Sequence, residues 1–356
     1  MKILFHLGHP AHFHLFKNVI KNLKNNSHEI IILIKSKDIL EDLLIESGNE
    51  FLNILPQGRK DSLVSIALGQ LNQDFKMFNY VRHNRIDLMI GSSVAITHVG
   101  KLLRIPTISV GEDDANVVPF YSHLSYPFAD VILSPNSCNN GKWEKKTIHY
   151  QSYHELAYLH PNHFSPNKEI VKKYVSSDEP YFIIRFSKLG AHHDKGISGI
   201  SDIAAERIIK TLKPFGRVII NSEKELKQEL ESLRMKINPL HMHHLLAYAN
   251  LYVGDSQTMA AEAAVLGTPS FRLSDFVGRL GYLEELEHKY ELAYGFKPTE
   301  VEQLLKKINT LLRVTNLKEK WNRKKDKMLK EKIDFSVFLT SYIETFYQSN
   351  KNRKTT

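Results

Sequence analysis

The residues best placed to do chemistry lie between Tyr252 and Pro269. An apolar run ends at Gly254 and is followed by Asp255, Ser256, Gln257 and Thr258, which open an alanine-rich stretch carrying Glu262. A helix that begins there directs its unpaired backbone N–H groups and the positive end of its dipole at whatever lies ahead of it, a setting that suits an anion such as a diphosphate. The hydroxyls of Ser256 and Thr258 add hydrogen-bonding groups. Glu262 follows Thr258 by four residues, on the same helical face. There its carboxylate can accept hydrogen bonds from two ribose hydroxyls. Helix capping alone explains Asp255 and Ser256 but not a glutamate among alanines.

Other groups have a similar bearing. Gly8, His9, Pro10, Ala11, His12 and His14 follow the first apolar run. Gly8 allows close backbone approach, and a histidine at a helix start can serve as general base; His12 fits best. The His9–His12–His14 spacing also admits a metal, but no acidic or cysteine cluster accompanies it, and none is expected. Glu112, Asp113 and Asp114 close another apolar run, either as site carboxylates or as an ordinary acidic loop. Arg185 ends a later run and precedes Ser187 and Lys188. A cation there suits leaving-group stabilisation, with a surface ion pair as the alternative reading. Of His241, His243 and His244, His244 is the one that can face a ligand, unless it simply lies on a helix surface.

The elements that must position these groups alternate. Strands are expected at Lys2–Leu7, Glu29–Ile34, Phe51–Leu55, Asp87–Gly91, Thr107–Val110 and Asp130–Leu133, with helices between them. The pattern restarts at Tyr181–Phe186 and continues through Arg217–Asn221, Leu251–Gly254 and Pro269–Arg272. Strictly alternating strands and helices imply parallel sheets covered on both faces. The expected fold class is therefore α/β, with two doubly wound domains facing each other across a cleft. Ligands of such sheets sit beyond the carboxyl ends of the strands. The expected division is 1–150, 165–315 and a basic helical tail, 316–356.

Composition sets outer limits. The chain has 356 residues, 42% of them apolar, and a formal charge of +9. It shows neither a membrane-spanning apolar run nor a secretory leader at Met1, so a cytoplasmic location is expected. The single cysteine, Cys138, allows no internal disulfide. Lys318, Lys320, Arg323, Lys324, Lys325, Lys327, Lys330 and Lys332 place eight cations within fifteen residues. That segment reads as a solvated helix face or as a contact with anionic membrane. No pattern for nucleic-acid binding supports a nucleic-acid partner.

The Tyr252–Pro269 segment resembles the nucleotide-sugar motif of GT-B glycosyltransferases and of non-hydrolysing UDP-N-acetylglucosamine 2-epimerases. That likeness implies that Glu262 grips the ribose and that Ser256, Gln257 and Thr258 hold the phosphates. The Gly8–Phe16 stretch, Asp87–Ser93 and Leu103–Ala115 are similar to the peptidoglycan glycosyltransferase of lipid-intermediate synthesis. The whole pattern resembles a large prokaryotic family of GT-B-like domains of unknown function, up to about residue 310. The epimerases carry Gly-Asp-Thr where this chain has Gly91-Ser92-Ser93, and His-Arg-Arg-Glu-Asn where it has Arg185-Phe186-Ser187-Lys188-Leu189. Two proton-handling groups that such an elimination needs are thus missing, while Glu112 keeps the third. The resemblance therefore implies a metal-independent, cofactor-free transferase in surface glycan or polysaccharide synthesis. It would move a sugar from a nucleotide-sugar donor to a glycan or lipid-linked acceptor, with peripheral membrane contact through the tail. Epimerisation and non-catalytic nucleotide-sugar binding are the alternatives.

Overall fold

The structure, a computed structural model, describes residues 1–56, 63–176, 179–187 and 199–355. It divides into two units, one formed by Met1–His163 with Ile333–Thr356 and the other by Phe164–Lys332.

The first unit carries strands β1 (Lys2–Leu7), β2 (Glu29–Lys35), β3 (Leu52–Leu55), β4 (Leu88–Gly91), β5 (Thr107–Val110), β6 (Val131–Pro135) and β7 (Thr147–Tyr150). They form one parallel sheet in the order β3-β2-β1-β4-β5-β6-β7. Helices α1 (Pro10–Asn25), α2 (Leu40–Glu46), α3 (Leu63–Asn84), α4 (Val94–Leu103) and α5 (Pro119–Ser125) connect them. The central strands are apolar on successive positions because both faces are covered: Ile3, Leu4, Phe5 and Leu7 are fully buried, as are Leu88, Met89 and Ile90. Gly91 ends β4 with a φ of 155°, and a Cβ there would lie 2.7 Å from the His6 carbonyl. The strand ends that matter most can be this close only because that residue is glycine.

The second unit holds β8 (Tyr181–Phe186), β9 (Arg217–Ser222), β10 (Leu251–Gly254), β11 (Ser270–Leu273) and β12 (Ala293–Phe296), parallel in the order β12-β11-β10-β8-β9. Its helices are α6 (Lys168–Val171), α7 (Asp202–Leu212), α8 (Gln228–Glu231), α9 (Met242–Tyr248), α10 (Gln257–Val265), α11 (Gly281–Glu284), α12 (Val301–Leu312) and α13 (Leu317–Glu331). Alanines let α10 lie against the sheet: Ala260, Ala261, Ala263 and Ala264 are at most 1% exposed.

Strands β7 and β12 are absent from the sequence reading. Both are short edge strands whose residues lack the continuous apolar run, and β7 exposes Ile148 and His149. The expected tail, 316–356, is shared between the units. Helix α13 buries Trp321 and Met328 in the second unit, where the Trp321 indole donates to the Leu292 carbonyl at 3.2 Å. The final helix, α14 (Phe335–Thr355), buries Phe335, Leu339 and Ile343 in the first. Ser336 donates to the Ala157 carbonyl, and Asn26 and His28 contact Glu344. Among the described residues no helix is long and apolar enough to cross a membrane.

Candidate functional site

In the second unit, β10 ends at Gly254 and α10 begins three residues later. The Ser256 hydroxyl caps this helix, accepting from the Met259 amide at 3.3 Å. The first-turn amides ahead of Met259 have no carbonyl within the helix to bond. Thr258, half-buried on that turn, has no hydrogen-bond partner among the described residues. Amides left open in this way can receive an anion.

The neighbouring side chains are more committed than the sequence implied. Asp255 is 2% exposed and is taken up by the backbone: its two oxygens accept from the Ser187 amide at 2.7 Å and the Ile200 amide at 3.2 Å. Burial raises its pKa, an effect those amides oppose. It therefore ties the residue after β8 to the approach of α7, and Ser187 contributes its backbone to that tie. Gln257 bridges the Ser274 hydroxyl and the buried guanidinium of Arg272, at 3.1 and 2.8 Å. Arg185 pairs with Asn221 and Glu223, the ion-pair alternative of the sequence reading. Lys188 lies outside the described residues. Glu262, 5% exposed, meets the His243 ring, Oε1 to Nε2, at 2.9 Å. His244, by contrast, accepts from the Asn167 amide and packs on Phe164 with ring centroids 4.8 Å apart. The histidine that reaches the candidate ribose carboxylate is therefore His243.

Tyr252 was not anticipated. It is fully buried and its hydroxyl has no hydrogen-bond partner among the described residues. A Cβ on Gly254 would lie 2.1 Å from that hydroxyl, so glycine at the strand end makes room for it. Burial raises the phenol pKa, and it stays protonated.

In the first unit the strand ends gather a second group. His9 caps α1, accepting from the Ala11 amide at 3.2 Å, which accounts for it without a ligand. His12, half-buried, accepts the Gly8 amide on Nδ1 at 3.2 Å. Burial and the neighbouring His9, His6, Lys35 and His154 hold its pKa well below the ordinary imidazole range. A neutral ring whose Nδ1 accepts must carry its proton on Nε2. In this arrangement His12 offers a donor where a general base was expected, because a base needs the opposite tautomer, with Nδ1–H held by an acceptor.

Glu112 follows β5 with 10% of its side chain exposed. Its Oε1 accepts the His154 amide at 2.6 Å and its Oε2 lies 3.5 Å from His154 Nδ1. Burial and the nearby carboxylate of Glu155 push its pKa well above the usual carboxylate range. The His154 ring has a buried Nε2 without a partner among the described residues, and burial lowers its pKa to about 3. His12 and Glu112 are thus brought into one neighbourhood through His154. Sequence reasoning missed His154 and Glu155 because they follow β7, which it did not recognise as a strand. Among the described residues no group of three or more His, Cys, Asp or Glu side chains is arranged to hold a metal ion.

Two parallel α/β sheets with such strand-end groups define a Rossmann-like pair of the GT-B type. Solved structures share this fold over nearly their whole length. MnaA of S. aureus, solved with UDP, matches with a TM-score of 0.71 and 12% identity, covering 98% of this chain and 97% of that one. A UDP-GlcNAc 2-epimerase from Neisseria meningitidis, bound to UDP-GlcNAc, matches at 0.66 and 15%, covering 98% and 100%. The spinosyn rhamnosyltransferase SpnG, complexed with spinosyn aglycone, matches at 0.62 and 14%, covering 97% and 100%. At these identities the likeness establishes the fold. No curated protein matches the sequence.

The chain belongs to the family described as "Protein of unknown function (DUF354)", whose model matches residues 1–340. The match runs some way past the limit near residue 310 expected from the sequence and takes in all of α13, consistent with the burial of Trp321 and Met328.

Proposed function

We propose that this protein is a glycosyltransferase of the GT-B type that takes its sugar from a nucleoside-diphosphate donor. The observation that carries the reading is the amino end of α10, where first-turn amides with no carbonyl inside the helix and the half-buried Thr258 follow a small turn after β10. The diphosphate binds there and Glu262 takes the ribose. In the first unit Glu112, a carboxyl with a raised pKa, serves as base toward an acceptor hydroxyl. His12 supplies a hydrogen bond from Nε2. The acceptor is a glycan or a lipid-linked sugar, and the reaction uses neither metal nor cofactor. Two of the similar structures were solved with UDP or UDP-GlcNAc, which supports a nucleotide-sugar ligand.

Epimerisation is the second reading, favoured by those same structures and by Glu112. Against it stands the end of β4, where Ser92 replaces a carboxylate and donates its hydroxyl to the Val110 carbonyl at 2.5 Å. The test starts with a thermal-shift panel of nucleotide sugars. A ligand at a hundredfold excess over Kd stabilises the folded state by about 2.7 kcal/mol. The donor so found is then incubated in D2O with and without glycan acceptors. Transfer releases nucleoside diphosphate only with an acceptor and leaves the C2 hydrogen in place. Deuterium entering C2 of the donor without an acceptor overturns transfer and establishes epimerisation.

A further inference from the structure

The contact between His243 and Glu262 joins two neighbouring helices. His243 lies on α9 and Glu262 on α10, with 7% and 6% of their side chains exposed. Their atoms Nε2 and Oε1 are 2.9 Å apart. An ionised carboxylate only accepts, so the shared hydrogen sits on Nε2 of the ring. The ring is held edge-on by Phe164, with centroids 6.1 Å apart and planes at 83°.

A glutamate in the middle of a short alanine helix has several rotamers, and nothing in the helix itself selects one. The imidazole selects one by fixing Oε1. A carboxylate oriented in this way meets paired ribose hydroxyls without first losing rotamer freedom. That preorganisation raises affinity for the hydroxyls specifically.

We propose that His243 is the positioning residue for ribose recognition: its Nε2–H fixes Oε1 of Glu262 so that the carboxylate is presented to the ribose hydroxyls of a nucleoside diphosphate. This rests on the reading of Glu262 as the ribose contact. The competing account is that the pair merely ties α9 to α10, in which case any loss on substitution is indifferent to the ribose.

The experiment separates them by comparing ligands within each variant. Calorimetry first selects one nucleoside diphosphate from UDP, GDP, ADP and CDP. Its affinity is then compared with that of its 2′,3′-dideoxy counterpart for wild type, His243→Leu and His243→Gln. Wild type is expected to lose about tenfold or more on removal of the hydroxyls. In His243→Leu that ratio should fall toward one. In His243→Gln, whose side-chain amide can donate from a similar place, it should largely return. A wild type that binds none of the four, or binds both ligand forms equally, removes the ribose reading and the inference with it. A wild type that discriminates, beside a His243→Leu that discriminates equally well, overturns the inference alone. If His243→Leu does not fold, histidine-selective nitrogen-15 spectra of the wild type decide. The His243 Nε2–H signal should move with the ribose ligand and not with the dideoxy form, and an equal response to both overturns the proposal.

Discussion

At the scale of single residues, the proposed chemistry rests on two carboxylates with different surroundings. Glu112 is buried beside Glu155, and both burial and like charge favour its neutral form. The ionised fraction, the form that can take a proton, therefore grows as pH rises through a range above that of an ordinary glutamate. Transfer should show an acid limb displaced upward. Glu112→Gln should lower kcat by about 10²–10⁴ and abolish that limb while leaving donor affinity unchanged. A pH profile of kcat for the two proteins checks this, and an unchanged limb in Glu112→Gln would assign the proton step elsewhere. Glu262 is the complementary case, since it is already engaged by His243. Glu262→Ala should weaken nucleotide binding by about 1.5–3 kcal/mol, the worth of hydrogen bonds to a charged group. It should also cost about 1–3 kcal/mol of stability, because the buried His243 Nε2 loses its acceptor. The helix itself tolerates alanine. Titration calorimetry and urea denaturation of one sample measure the two effects. Loss of stability with unaltered affinity would leave Glu262 a purely structural residue.

At the scale of elements, the chain's last helices are structural parts of both units. Helix α14 places Phe335, Leu339 and Ile343 at 0% exposure in the first unit, and Ser152 and Ser336 anchor its entry through the Ile333 and Ala157 carbonyls. Burying a large apolar side chain is worth about 1.5–3 kcal/mol. Three such side chains amount to a large part of the net stability of an ordinary domain. Ending the chain at Lys332 should therefore unfold the first unit or leave it molten. Near-ultraviolet circular dichroism and proteolysis of the truncated protein test this, and a truncated first unit with native tertiary signals would show that α14 is dispensable.

At the scale of the whole molecule, charge behaves differently from its sum. The chain carries +9, but the basic segment is partly consumed internally. Lys318 donates to the Ala247 carbonyl, Lys332 is buried against Glu285, Lys324 pairs with Glu291 and Arg323 pairs with Glu319. Lys320, Lys327 and Lys330 remain exposed without an ion pair among the described residues. At about 1 kcal/mol for each cation near an anionic leaflet, less when screened, these are expected to give no lasting attachment. Sedimentation with anionic vesicles at physiological salt should leave the protein in solution; pelleting on anionic but not neutral lipid would restore the membrane contact suggested by the sequence. A second whole-molecule effect is acid sensitivity. In the folded first unit burial holds His6 and His154 at about 3, whereas the unfolded chain has them near 6.5. A lowered folded pKa adds stability that is complete above the unfolded value and is lost as pH falls below it. Between pH 7 and pH 5 each should cost the first unit about 2 kcal/mol. Urea midpoints of His6→Asn against wild type across that interval test the assignment, and parallel curves would contradict it.

The sequence by itself determined the strand–helix alternation, because apolar runs of strand length and helical periodicity are local signals. It also located the turn before α10, since a strand end, small polar residues and an alanine helix are contiguous from Gly254 to Val265. Position relative to a strand end is likewise local, which is why Glu112 and His12 could be singled out. What those groups bond to is not local. That His12 accepts from Gly8, that Asp255 is spent on Ser187 and Ile200, and that Glu262 meets His243 nineteen residues away follow from packing. The edge strand β7 had too few apolar residues to be seen and β12 is interrupted by Gly295, so His154 and Glu155, which follow β7, were hidden with it. The basic segment is the clearest case. Its composition alone describes a surface, whereas tertiary structure turns Trp321 and Met328 inward and ties up Lys318, Lys324 and Lys332, since a carbonyl or carboxylate from a distant part of the chain decides whether an ammonium group is free.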